Sequence, residues 1–218
     1  MALRLGAGAG HARGAAVLGF SSPQGLGLKT VALFGGSFDP PHLAHLALAR
    51  AALALADEVR WIPAGQPWQK ARAMTPAADR EAMVRLVIDG EPRFVLDRIE
   101  LERKGPSYTL DTVQALARRE PGTQWLLLIG ADQYANLHTW RGWRELLARV
   151  TLAVAPRPGV AAEPDAAVAA HPHRTVPLPP MDLSATDIRA RAAAGQPLTD
   201  LVPPEVARYI ETRHLYRA

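Results

Sequence analysis

The sequence predicts an α/β fold, a doubly wound parallel sheet with helices on both faces and a small helical region at its C-terminal end. Three observations carry this. From Lys29 onward, strand-like apolar runs alternate with helical stretches, the pattern of parallel strands joined by crossover helices. The runs at 31–34 and 124–129 are apolar without alternation, as strands covered on both faces are. Glycines, aspartates and prolines follow the strand ends, where the loops of such a sheet belong.

Taken in order, residues 1–28 are rich in Gly and Ala and short of large apolar side chains, so a disordered extension is predicted there, leaving 29–218 as a single domain. The strand at 31–34 ends at Gly35-Gly36, which without Cβ atoms permit an unusual turn and a close ligand approach. Asp39-Pro40 reads as a helix start, with Asp39 as cap and Pro40 in the first turn. The helix behind it carries Leu46, Ala49, Leu53 and Ala56 on one stripe. A strand at 59–63, a loop at 64–75 and a helix at 76–89 follow, and 94–102 alternates as a strand does. Pro106-Ser107-Tyr108-Thr109 leads into a helix ending near Glu120. The strand at 124–129 is closed by Gly130-Ala131-Asp132. Helical stretches then run through Trp140 and on to Val150, before a strand at 151–155. The Pro- and Ala-rich segment 156–180 is expected to be a loop with a short strand at 175–178. Ser184-Ala185-Thr186-Asp187 starts a helix with Arg189 in its first turn and Gly195 at its end, and Pro203-Pro204 opens the last one.

Composition narrows the function classes. Hydrophobic residues make up 48% of the 218 and charged residues 21%, ordinary values for a globular protein. No apolar run is long enough to span a membrane. The absence of cysteine excludes disulfides and thiolate metal sites and fits a reducing cytoplasm. The net charge of +4 suits small anionic substrates. Because its basic residues are scattered, with no Lys/Arg block, nucleic acid is not expected as a partner. Lysine occurs only at Lys29, Lys70 and Lys104, which draws attention to the loop carrying Lys70.

Chemistry concentrates at two helix starts. His42 and His45 stand three apart on one face of a first turn, beside glycines and unsatisfied N–H groups at the positive end of a helix dipole, an arrangement suited to polyphosphate. Ser184, Thr186 and Arg189 offer hydroxyls and a guanidinium at a second helix start. Asp132, at the end of a buried strand, needs a partner such as ribose hydroxyls or a helix cap. Trp140 provides a large planar face, which could equally be core.

The stretch Gly35-Gly36-Ser37-Phe38-Asp39-Pro40-Pro41-His42-Leu43-Ala44-His45 resembles the GGxFDPxHxGH signature of the nucleotidyltransferase superfamily, with Ala44 where a glycine is usual. Leu183-Ser184-Ala185-Thr186-Asp187-Ile188-Arg189 is similar to that superfamily's ISxTxIR element. Pro106-Ser107-Tyr108-Thr109, Gly130-Ala131-Asp132 and His138-Thr139-Trp140 narrow the resemblance to the bacterial nicotinate-nucleotide adenylyltransferases. Pro67-Trp68-Gln69-Lys70 stands where that family commonly has PPHK.

The resemblance implies a Rossmann-like fold and adenylyl transfer from ATP to nicotinate mononucleotide, with Mg2+ accompanying ATP. It implies that Gly35, Gly36, Ser37, Phe38, His42, His45, Ser184, Thr186 and Arg189 meet ATP, with His42, His45 and Arg189 catalytic. Lys70, Thr109, Asp132 and Trp140 are implied to hold nicotinate mononucleotide, Trp140 by stacking on its ring. Nicotinamide mononucleotide and phosphopantetheine are the alternative acceptors. A noncatalytic nucleotide- or RNA-binding protein is the alternative class.

Overall fold

The computed structural model describes residues 28–66, 74–156, 163–179 and 181–217. The expected disordered extension, apart from Leu28, therefore lies outside the described residues, as do Lys70 with its loop and the stretch 157–162 of the long loop.

Six strands are described: β1 (Thr30–Gly36), β2 (Glu58–Pro63), β3 (Phe94–Leu96), β4 (Gln124–Gly130), β5 (Thr151–Ala155) and β6 (His173–Thr175). They form one sheet in the order β3-β2-β1-β4-β5-β6, with every neighbouring pair parallel. The chain winds outward from β1 to β3, then returns across β1 to begin β4 on the other side. That reversal opens a crevice between the carboxyl ends of β1 and β4, the switch point of a doubly wound sheet. The expected Rossmann-like architecture is the one found.

Alternation along the buried strands divides the core in two. Ala32, Phe34, Val59, Trp61, Leu126 and Leu128 face α1 (Leu43–Ala52), α2 (Ala77–Ile88), α8 (Ala185–Ala193) and α9 (Pro204–Thr212). Val31, Leu33, Ile62, Trp125, Leu127 and Ile129 face α4 (Thr109–Arg119), α5 (Ala131–Ala135), α6 (Trp143–Leu147) and α7 (Ala166–Ala169). This two-sided burial is why these strands read as continuous apolar runs.

Four local expectations are corrected. The run 94–102 is not one strand: β3 stops at Leu96 and α3 (Ile99–Glu102) follows. Asp97 causes the break, its main-chain N–H closing the ladder on the Trp61 carbonyl at 2.9 Å while its Oδ1 accepts the Ile99 N–H at 3.0 Å, a turn that competes with extended pairing. The last strand lies at His173–Thr175 rather than 175–178. Asp39-Pro40 does not open α1: the helix begins at Leu43 with His42 at its N-cap. Asp39 is instead buried, 1% exposed, and engaged elsewhere. The prediction for α8 holds at both ends, with Ser184 at the N-cap accepting the Asp187 N–H at 3.1 Å and Gly195 just past the end at φ 65. Arg189, however, is the fifth residue of α8, one position beyond the first turn.

Candidate active site

The crevice at the switch point is a cavity of about 620 Å3, a size that fits small-molecule sites. Its floor is main chain at the ends of β1, β4 and β5, through Gly35, Gly36, Gly130 and Ala155. Gly35 and Gly36 serve different ends. A Cβ on Gly36 would stand 3.0 Å from the Phe38 ring, a tight contact that would press on the ring behind His45. A Cβ on Gly35 would meet nothing within 4 Å, so its absence leaves a bare main-chain wall that a ligand can approach closely.

On one side stands the start of α1. His42 and His45 stack with ring centroids 3.7 Å apart and planes at 29°, and both line the cavity. The His42 main-chain N–H donates to His45 Nδ1 at 3.1 Å, so that nitrogen carries no hydrogen and the ring N–H of His45 is on Nε2. Behind them lies an aromatic wall: Phe38 packs on His45 at 5.2 Å, and on Phe34 and Trp61 at 5.3 and 5.1 Å. Phe38, expected among the ATP contacts, has a side chain only 1% exposed and is not among the lining residues. It backs the His45 ring instead. Ala44 does line the cavity, so its methyl group stands at the edge of the ligand space.

Opposite, Ser184, Ala185 and Thr186 bring the start of α8 to the same cavity. Arg189 does not line it. Its Nη1 donates to the Asp39 carbonyl at 2.8 Å and its Nη2 to Thr186 Oγ1 at 3.1 Å, so it ties the two helix starts together. Ser37 lines the cavity as well, and its carbonyl accepts from the buried Arg80 at 2.9 Å.

The other end of the cavity is made by Thr109 at the start of α4, Asp132 in the first turn of α5, and Trp140 after the short helical turn Leu137–Thr139. Trp140 packs against the second core cluster and also lines the cavity. Its indole N–H is buried and meets no acceptor among the described residues.

Sequence reasoning missed Glu100, which lines the same end while only 7% exposed. Thr112 donates to its Oε1 at 2.7 Å, and Ser107 Oγ in turn accepts the main-chain N–H groups of Gly65 and Gln66 at 3.1 and 3.3 Å. Gly65 is packed so closely that a Cβ there would fall 2.1 Å from the Glu100 carbonyl. The signal was hidden because 94–102 was read as a strand; Asp97 as a turn former would have placed Glu100 on a helix.

Burial raises the Glu100 pKa above its ordinary 4.5, with the Thr112 and Ser107 hydrogen bonds and the Arg103 charge opposing. Just above that pH the folded state therefore binds more protons than the unfolded one, and the wild type loses stability as pH rises through the window. Glu100→Gln removes this loss. Its denaturation midpoint, relative to wild type, is expected to become more favourable as pH rises above about 4.5; a difference independent of pH would refute the buried charge.

The fold and the cavity define an α/β nucleotide-binding protein whose two helix starts converge on one ligand space. Residues 33–191 match the cytidylyltransferase-like family. A protein of Methylibium petroleiphilum named probable nicotinate-nucleotide adenylyltransferase is 51% identical over 204 residues, covering 90% of this chain and 94% of that one. One of Bordetella petrii with the same name is 50% identical, covering 87% and 100%. Among solved structures, Plasmodium falciparum nicotinic acid mononucleotide adenylyltransferase complexed with NaAD superposes with a TM-score of 0.72 at 19% identity, over 86% of this chain and 97% of that one, a likeness of fold. The chain belongs to the nicotinate-nucleotide adenylyltransferase family.

Proposed function

We propose that the protein transfers the adenylyl group of ATP to nicotinate mononucleotide, releasing pyrophosphate and forming deamido-NAD. The observation that carries this reading is convergence: the starts of α1 and α8 and the Thr109, Asp132 and Trp140 end all line one cavity.

The acceptor phosphate is already a nucleophile, so the reaction needs neither a general base nor a covalent intermediate. An acceptor oxygen attacks the α-phosphorus in line as the bond to the β-phosphate oxygen breaks and its electron pair leaves with pyrophosphate. His42 and His45 meet the phosphates at the positive end of α1, with the His45 Nε2–H directed to the α-phosphate, where charge develops. Ser184, Thr186 and Arg189 act on the β- and γ-phosphates. In the free protein Arg189 braces Asp39, and meeting phosphate requires it to share or exchange that contact. Trp140 stacks on the pyridine ring while N–H groups near Thr109 receive its carboxylate, and Asp132 and Lys70 hold ribose and phosphate.

Among the described residues no three His, Asp or Glu side chains gather to hold a metal, and Mg2+ would enter with ATP as part of the substrate. When bound it would neutralise phosphate charge. Among the described residues no helix is long and apolar enough to cross a membrane. The cysteine-free chain suits the cytoplasm, which we propose as its compartment.

The test is pyrophosphate release from ATP and Mg2+ with nicotinate mononucleotide, nicotinamide mononucleotide and phosphopantetheine offered separately. Strong preference for the acid is expected. Release with another acceptor would overturn the acceptor assignment while keeping the ATP half, and release with none would point to a noncatalytic nucleotide binder.

A further inference from the structure

The loop between β1 and α1 is held from a part of the chain that none of the roles above use. Tyr216 lies after α9, and its hydroxyl donates to Asp39 Oδ1 at 2.8 Å. Asp39 Oδ2 accepts the Thr75 N–H at 3.4 Å, and its carbonyl accepts from Arg189 at 2.8 Å. One residue is thus fixed through both side chain and main chain by three separate segments. Two prolines, Pro40 and Pro41, follow directly, and each restricts the main chain to a narrow range of φ. The strap from Asp39 to His42 is therefore stiff, and an orientation fixed at Asp39 is passed on to the first residue of the histidine pair.

The local backbone indicates that this contact is not incidental. Tyr216 sits at φ 66, in the left-handed region that aromatic residues disfavour. Phe38, next to Asp39, has φ 48. Tyr216 and the residue before Asp39 thus occupy costly conformations, which persist only where the surroundings enforce them. Burial and then the Asp39 charge push the Tyr216 phenol pKa far up, so the hydroxyl stays a donor throughout the working pH range.

We propose that Tyr216 is a positioning residue for the ATP half of the site, holding Asp39 and, through Pro40-Pro41, setting the start of α1 where His42 and His45 stand. The proposal rests on the reading of that half as the ATP site.

Tyr216→Phe removes the hydroxyl and keeps the ring that packs on the first core cluster. Calorimetric titration of wild type and variant, with ATP and with nicotinate mononucleotide separately, is the test. A hydrogen bond to a charged group supports roughly a tenfold weaker ATP Kd in the variant, with the nicotinate mononucleotide Kd within about twofold. Adding Asp39→Asn to Tyr216→Phe should weaken ATP binding less than the two separate losses combined. An ATP Kd unchanged in Tyr216→Phe, even with a lower Tm, would overturn the proposal by leaving Tyr216 a purely structural role. Equal weakening of both ligands would also overturn it. Wild type that binds ATP but not nicotinate mononucleotide would remove the acceptor assignment and leave Tyr216 standing, whereas wild type that binds no ATP would remove both.

Discussion

His45→Ala should lower kcat by about 10^2–10^3-fold, the cost of removing one preorganised donor from developing charge. The residue does two separable things. Its Nδ1 accepts the His42 N–H at 3.1 Å and so caps α1, while its ring, backed by Phe38, lines the cavity. Loss of the cap alone costs about 1 kcal/mol of stability, a shift of a few degrees in Tm for a chain of this size. His45→Gln separates the roles, because glutamine at the third helical position can accept the same N–H as in a capping box. The expected pattern is a large kcat loss in both variants, with the Tm loss confined to His45→Ala. Near-normal turnover by His45→Ala would remove His45 from the reaction.

Arg60→Leu is expected to destabilise the fold by about 3–5 kcal/mol, enough to lower Tm by roughly 10 °C, as found when one partner of a buried ion pair is removed. Arg60 is 5% exposed on β2 and lies over the Trp125 ring at 5.6 Å. It donates to Glu58 at 2.6 Å and to Glu120, and stands 3.7 Å from the buried Asp97, which Arg119 also contacts. Burial opposes the charge of Arg60, but the hydrogen bonds to Glu120 and Glu58 outweigh it and hold its pKa above the ordinary value. Leucine would fill part of the space and leave carboxylates facing a low-dielectric interior. The same variant should be less sensitive to acid. The Arg60 hydrogen bond is the first cause of the lowered Glu120 pKa, so Glu120 contributes stability above its unfolded pKa that is lost as pH falls. Urea denaturation at about pH 7 and pH 4 measures both effects, and a loss below 1 kcal/mol at pH 7 would mean the network is dispensable.

The two results probe opposite ends of legibility. His42 and His45 were visible because their signal is local: a glycine pair and a spacing of three lie within a few consecutive residues, although Asp39-Pro40 misplaced where the helix opens. Arg60 was not, because a lone Arg in a strand-like run says nothing about which carboxylates will surround it. Glu58 is two residues away on the same strand, but Asp97 comes from the turn after β3 and Glu120 from the end of α4. Glu100 was hidden by a misread element, since alternation over 94–102 outweighed the turn chemistry of Asp97. Trp140 was ambiguous for a physical reason, because a large ring can pack on the core and line a cavity at once, and here it does both.

By itself, the sequence determined the doubly wound sheet, the two stretches with His42, His45, Ser184 and Thr186 that line the cavity, and the segments that make its other end. These are properties of short stretches, set by periodicity, capping and turn chemistry. Only the tertiary structure decided how they are held: Phe38 behind His45, Arg189 on the Asp39 carbonyl, Tyr216 on the Asp39 carboxylate, and Glu100 beneath the start of α4. Such contacts join residues up to 177 positions apart. Their partners are set by how the sheet brings distant loops to one edge, and no local pattern records that.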